Sequence, residues 1–185
     1  MNKKYSIIYA DPPWDYKGQK QHRGKAGGGK DSGGALTHYP CMKLRQLKMM
    51  RVQEISDDDC LLFLWATSPH LDQAIQLMES WGFKYKTIGF VWNKERVNPG
   101  FYTMSQVEIC IIGKKGKIPS PRGARNVRQY LKEMRGKHSA KPKEVRKRID
   151  KMFPSQQKIE LFARATAPGW DSWGHDVGIS NLDLI

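Results

Sequence analysis

Cysteine is scarce and scattered in this chain. Its three copies, Cys41, Cys60 and Cys110, are widely spaced and form no C-x-x-C pair. That excludes a disulfide framework and a cysteine-based zinc module, and it fits a reducing cytosol. No metal site is expected. Long apolar runs are missing too: no stretch approaches the ~18 residues of a membrane span. The opening MNKKYSIIYADPP has too short an apolar run for a signal peptide. The expected location is therefore cytoplasmic. No G-x-G-x-x-G follows a strand-like segment, which argues against a dinucleotide oxidoreductase. Acidic residues are also few, 18 against 32 Lys and Arg, for a net charge of +14.

The 185 residues, 39% of them hydrophobic, suit one globular domain with a real core. The positive charge is concentrated. Fifteen Lys or Arg stand between Lys114 and Lys151, against Glu133, Glu144 and Asp150; nine stand between Lys17 and Arg51, against Asp31. Such clustering is the footprint of a polyanion partner, with nucleic acid foremost.

One stretch carries chemistry. The apolar run Tyr5–Ala10 reads as a buried strand and ends in Asp11-Pro12-Pro13-Trp14. The carboxylate of Asp11 then stands at the strand's C-terminal edge. Two prolines stiffen the turn and donate no hydrogen bonds. The carbonyls of Asp11 and Pro12 join the carboxylate as acceptors, and Trp14 offers a stacking plate. This array suits a planar group bearing an NH2. The amine of an aminopurine is a poor nucleophile because its lone pair is delocalised. Acceptors on its hydrogens favour a tetrahedral nitrogen that can attack an electrophilic methyl, so catalysis becomes orientation and preorganised electrostatics.

Along the rest of the chain, residues 17–37 are rich in Gly and Lys without apolar periodicity and read as a flexible loop. Gly24–Lys30 matches the start of a P-loop, but Asp31 stands where Ser or Thr should follow, and no strand leads into it. Residues 42–50 are expected to be helical. Cys60–Ala66 reads as a central strand buried on both faces. Ser68 is expected to cap a helix that has Pro69 at its first position, buries Leu71, Ala74, Ile75, Met78 and Trp81, and ends at Gly82. Thr87–Trp92 and Val107–Gly113 are further strands. Residues 114–141 are basic and mostly irregular. Pro142 opens a helix with Val145, Ile149, Met152 and Phe153 on one face, and Lys158–Arg164 is the last long strand. Alternating strands and helices predict an α/β domain with a mostly parallel sheet.

The order DPPW, HYPCM (His38–Met42), LFLWAT (Leu62–Thr67), HSAKP (His138–Pro142), KIELFAR (Lys158–Arg164) and Gly169-Trp170 resembles the adenine-N6 methyltransferase family named after the 70-kDa subunit of the mRNA adenosine methyltransferase. The resemblance runs from about Tyr5 to about Gly178 and is closest to bacterial and phage members. It implies a permuted Rossmann-like fold, with the catalytic motif before the cofactor strand, and S-adenosylmethionine as methyl donor. It makes Asp11, Pro12, Pro13 and Trp14 the catalytic motif. Asp11, Lys141, Arg164, His175 and Asp176 become the cofactor set, with Lys141 facing the methionine portion and Asp176 the ribose. The chain departs from the family pattern at Thr166-Ala167, where His-Asn is usual, and in having only ten residues before Asp11.

The expected reaction is methyl transfer to the N6 amine of adenine in nucleic acid, foremost DNA. The alternatives are the same chemistry on RNA and a non-catalytic nucleic-acid-binding subunit. Lys17, Lys20, Arg23 and Lys25 on the loop, with Arg122, Arg125, Arg128 and Arg135 in the basic segment before Lys141, are expected to hold phosphates at the mouth of the site.

Overall fold

The computed structural model describes residues 3–15, 41–100, 102–136 and 140–174, together with 177 and 184. The loop expected at 17–37, its P-loop-like stretch, and His138 lie outside the described residues.

Seven strands form one sheet. They are β1 (Tyr5–Ala10), β2 (Ser56–Ala66), β3 (Lys84–Asn98), β4 (Ser105–Lys115), β5 (Tyr130–Lys132), β6 (Lys158–Leu161) and β7 (Asp171–Trp173). Their order across the sheet is β5-β3-β4-β2-β1-β6-β7. Neighbours pair in parallel except β4, which runs antiparallel to both β2 and β3. The sheet is therefore mostly parallel, as the alternation of elements predicts. β1, first in sequence, lies beside β6, near the end of the chain. This is the permuted Rossmann-like arrangement, an α/β sheet in which the strand bearing Asp-Pro-Pro precedes the strand next to it.

Strand period explains the two cores. Ile8 and Ala10 of β1, with Leu62, Leu64 and Ala66 of β2, face one side; Ile7 and Tyr9, with Leu61, Phe63 and Trp65, face the other. The first side is covered by α1 (Leu44–Met49), α2 (Val52–Ile55) and α3 (Leu71–Ser80) through Leu47, Val52, Ala74, Leu77 and Met78. The second is covered by α4 (Lys143–Met152) through Val145 and Ile149, with Phe153 and Trp170. The apolar run in β2 thus reads as expected, since both its faces are sealed.

Several expected boundaries shift. Ser68 does not cap α3: a 3-10 turn, Ser68–His70, intervenes, and His70 precedes the helix with no side-chain cap. Pro69 is accommodated in the first turn, where its missing N–H would have had no partner, and the His70 N–H closes the turn on the Thr67 carbonyl at 2.9 Å. The C-terminal end follows expectation. Gly82 adopts φ +83°, its N–H reaches the Glu79 carbonyl, and the Phe83 N–H reaches that of Met78, both orphan acceptors of the last turn. The expected strand Lys158–Arg164 ends at Leu161, because Phe162 turns to φ +61° and breaks the ladder. The charged end of α4 also has a local cause. Lys158, almost fully buried, donates to the carbonyls of Phe153 (3.0 Å) and Gln156 (3.2 Å), placing a cation where the helix dipole is negative.

Candidate active site

Asp11 follows β1 at the C-terminal edge of the parallel strands, the edge where open α/β sheets bind ligands. Because β4 is reversed, its N-terminal half reaches the same edge: Glu108 pairs with Trp92 of β3, and Ile109 with Ala66 of β2. Lys141 arrives just before α4. These three side chains meet. Lys141 Nζ lies 2.7 Å from Asp11 Oδ1 and 3.2 Å from Glu108 Oε2. Lys94 Nζ approaches the other oxygen, Glu108 Oε1, at 3.3 Å. The result is an alternating row: Asp11, Lys141, Glu108, Lys94.

Lys141 is thus no solvated lysine; its side chain is 13% exposed. Burial opposes its charge, yet the carboxylates of Asp11 and Glu108 hold its pKa above the usual lysine range. Burial likewise opposes the charge of Glu108, and Lys141 with Lys94 outweighs it, so that carboxyl titrates below its usual value. The indole of Trp65 lies beneath Lys141, its ring centre 5.5 Å from Nζ. Trp65 is held from the other side, where its Nε1–H donates to Tyr9 Oη at 2.7 Å.

The Pro-Pro turn is tight. The Trp14 N–H donates to the Pro12 carbonyl at 2.9 Å, and the Met42 N–H to that of Pro13 at 2.9 Å. One lone pair of Pro12 is therefore already used inside the turn, so the expected pair of open carbonyls is only partly open. Trp14 corrects the expectation further. Its ring is 4% exposed, donates through Nε1 to the Trp65 carbonyl at 3.3 Å, and stacks on His70 at 5.8 Å. An indole packed on all sides presents no open plate. Trp14 ties the turn to the core instead. His70 itself is buried, which lowers its pKa, and its Nδ1 lies 2.9 Å from Thr67 Oγ1.

The remaining expected residues divide. Arg164 is half-buried and stands beyond the end of β6, not on it as expected, because Phe162 has already turned the chain. His175 and Asp176 lie outside the described residues, as do Lys17, Lys20, Arg23 and Lys25. The four arginines of the basic segment do not gather at the site. Gly123 and Ala124 donate to the carbonyls of Met152 and Lys151, which seats Arg122 and Arg125 by the C-terminal end of α4. Ten helical residues, about 15 Å at 1.5 Å each, separate that end from Lys141. Arg122 lies over the Phe153 ring at 5.5 Å. Arg128 is exposed midway, its carbonyl accepting from Arg148 at 2.8 Å. Arg135, also exposed, follows β5, whose last residue Lys132 pairs with Asn93, so it stands on the Asp11 edge of the sheet.

Glu108 and Lys94 were not singled out from the sequence. The signal was present in V-E-I-C: one acid inside an apolar strand needs a partner when buried. Only the antiparallel turn-back of β4 shows which partner.

The donor set fits S-adenosylmethionine. Lys141 could hold its carboxylate, with Asp11 and Glu108 as acceptors beside the lysine. Fold and site together describe a Rossmann-like methyltransferase with the Asp11 carboxylate just past its first strand. The family model MT-A70 matches residues 5–176, and the chain belongs to this family. It is 49% identical over 190 residues to the Type II methyltransferase M.MunI from a Mycoplasma species, covering 98% of this chain and 82% of that protein. It is 27% identical over 191 residues to the human N(6)-adenosine-methyltransferase catalytic subunit METTL3, covering 97% of this chain but 30% of that protein. An Arabidopsis N(6)-adenosine-methyltransferase MT-A70-like protein is 26% identical, covering 94% and 24%. The chain is an enzyme, a methyltransferase of the adenine-N6 type that characterises the family.

Proposed function

We propose that this chain transfers a methyl group from S-adenosylmethionine to the exocyclic N6 amine of adenine in DNA, and that one domain spanning the chain does so. The observation that carries the reading is the ion pair of Lys141 with Asp11 at the strand edge. Lys141 occupies Oδ1 and leaves Oδ2 as an acceptor for an amine hydrogen, with the Asp-Pro-Pro turn beside it. When bound, S-adenosylmethionine supplies an electrophilic methyl on a sulfonium. Lys141 would face its carboxylate, with Arg164, His175 and Asp176 completing the cofactor set. Asp11 orients the amine and takes up the hydrogen bond that strengthens as the nitrogen gains its new bond and sheds a proton. Glu108, held through its other oxygen by Lys94, keeps Lys141 charged and fixed. Trp14 holds the turn from beneath.

DNA is favoured by the 49% identity to a Type II methyltransferase. Lys17, Lys20, Arg23 and Lys25, which follow Trp14 in sequence, and Arg135 are the residues proposed to hold phosphates about the target base. RNA is the second reading, favoured by relatives named for adenosine. No helix among the described residues is long and apolar enough to cross a membrane; a cytoplasmic setting goes with the DNA reading.

Radiolabelled methyl transfer to matched DNA and RNA oligonucleotides, followed by nucleoside analysis, tests this. N6-methyladenine in DNA is the expected product. Label in RNA alone moves the assignment to the second reading. Absence of label, together with no cofactor binding by calorimetry, leaves a non-catalytic nucleic-acid-binding subunit.

A further inference from the structure

The sheet carries a second basic feature, away from Asp11. Lys84 and Lys86 at the start of β3, and Lys114 and Lys115 at the end of β4, line an open concavity of about 350 Å³ together with Gly82 and Gly116. The two glycines shape its rim. Gly82 ends α3 and Gly116 ends β4, both with positive φ, and a Cβ on Gly116 would run into the Asp58 carbonyl. Lys84 and Lys114 stand directly opposite each other in the antiparallel ladder. Like charges so placed repel across the pair. Among the described residues, no carboxylate forms an ion pair with any of the four lysines. Asp59, near Gly116, is turned to the Lys117 amide at 2.6 Å. Lys115 is tied down, donating to Ser56 Oγ at 3.0 Å, whereas Lys84 and Lys86 are exposed and Lys114 half-buried.

The register measures how far this place lies from the reaction centre. Lys114 is level with Leu61, and Leu61 with Ile7, four residues before Asp11. At about 3.3 Å per residue along the strands and about 4.8 Å per strand across them, the concavity is roughly 20 Å from Asp11. The concavity is at the opposite edge of the sheet from Asp11, and a span of that length equals about six base pairs of duplex, or about twelve phosphate charges.

We propose that Lys84, Lys86 and Lys114 form a remote phosphate-binding site, which grips the DNA backbone several base pairs from the adenine being methylated. The proposal rests on the DNA reading above. Repulsion between facing lysines is relieved when a phosphate sits between them, and the concavity admits one without moving the backbone. Contacts this far from the target base carry no sequence information; they set affinity and register.

The test uses the full chain with all three lysines replaced, Lys84→Ala, Lys86→Ala and Lys114→Ala, and a second variant with Arg at the same positions. Binding to a duplex of about 30 base pairs is measured against salt. With one phosphate seated among the three lysines, and about 0.9 of log–log slope per phosphate contact, the alanine variant should lose about one unit of slope. Its KM for that duplex should rise at least tenfold, with kcat at saturating DNA and cofactor affinity unchanged. The arginine variant should restore slope and KM. If the alanine variant keeps the slope and KM of a wild type that methylates DNA, this inference alone is overturned. If the wild type binds no duplex, the inference fails together with the reading beneath it.

Discussion

Lys141 Nζ sits 2.7 Å from Asp11 Oδ1, joining a residue two positions before α4 to the residue after β1. The pair ties the Asp-Pro-Pro turn to the segment that delivers the lysine, and its geometry governs the predictions that follow.

Asp11→Asn should abolish methyl transfer. The amide keeps the shape but can present its NH2 to the substrate amine, and one acceptor is lost. Lys141 retains Glu108 at 3.2 Å, so the fold should survive. Turnover within tenfold of wild type, measured by label in N6-methyladenine, would remove Asp11 from the catalytic role.

Glu108→Gln should lower kcat roughly ten- to hundredfold, about 1.4–2.8 kcal/mol in the barrier. Lys141 loses one of its two carboxylates, and Lys94 is left buried without its partner. Cofactor affinity from calorimetry should fall along with it, because the position of Lys141 is loosened. A loss confined to thermal stability would reduce Glu108 to a packing role.

The same carboxylate predicts a pH dependence. Its folded pKa lies below its ordinary value of 4.5. The stability it contributes is therefore fully present above that value and is lost as pH falls through the lower, folded one. The Tm difference between wild type and Glu108→Gln should be constant at neutral pH and should shrink below about pH 4. Lys141 acts in the opposite sense. Its contribution is complete below the ordinary lysine value of 10.5 and disappears only as pH rises through its higher folded value. A Tm difference that widens on acidification would contradict this arrangement.

Trp14→Ala should act mainly on stability. The indole is buried against His70 and bonded to the Trp65 carbonyl, so its removal should cost about 3–5 kcal/mol, read as a lower urea midpoint. Trp14→Phe should recover most of that cost while lacking the Nε1–H. Wild-type stability in the alanine variant, with activity lost, would return Trp14 to the role of an open stacking plate.

Much of the architecture was legible in the chain. Tyr5–Ala10 and Cys60–Ala66 are apolar on both alternations, which only a strand sealed on two faces can use. The helix from Leu71 and its end at Gly82 follow from 3.6-residue spacing and from a residue free to take φ +83°. These are local properties, decided by neighbours a few positions away. The motif Asp11-Pro12-Pro13-Trp14 also belongs here, because a strand ending in two prolines places its carboxylate at an edge whatever packs around it.

Other features needed the tertiary structure, because they depend on groups distant in sequence. Leu161 ends β6 three residues early, since the conformation of Phe162 overrides a run that looks continuous. Trp14 could have been plate or core, and only the position of His70 and the Trp65 carbonyl decided for core. Arg122 and Arg125, near Lys141 in sequence, are held away from it by backbone hydrogen bonds to the far end of α4. Glu108 became a site residue only because β4 runs backwards and carries its first half to the edge where Asp11 stands, beside Lys94 of β3. Periodicity reports which face of an element is buried. Strand order and direction, set by packing of the whole sheet, determine which buried charges meet.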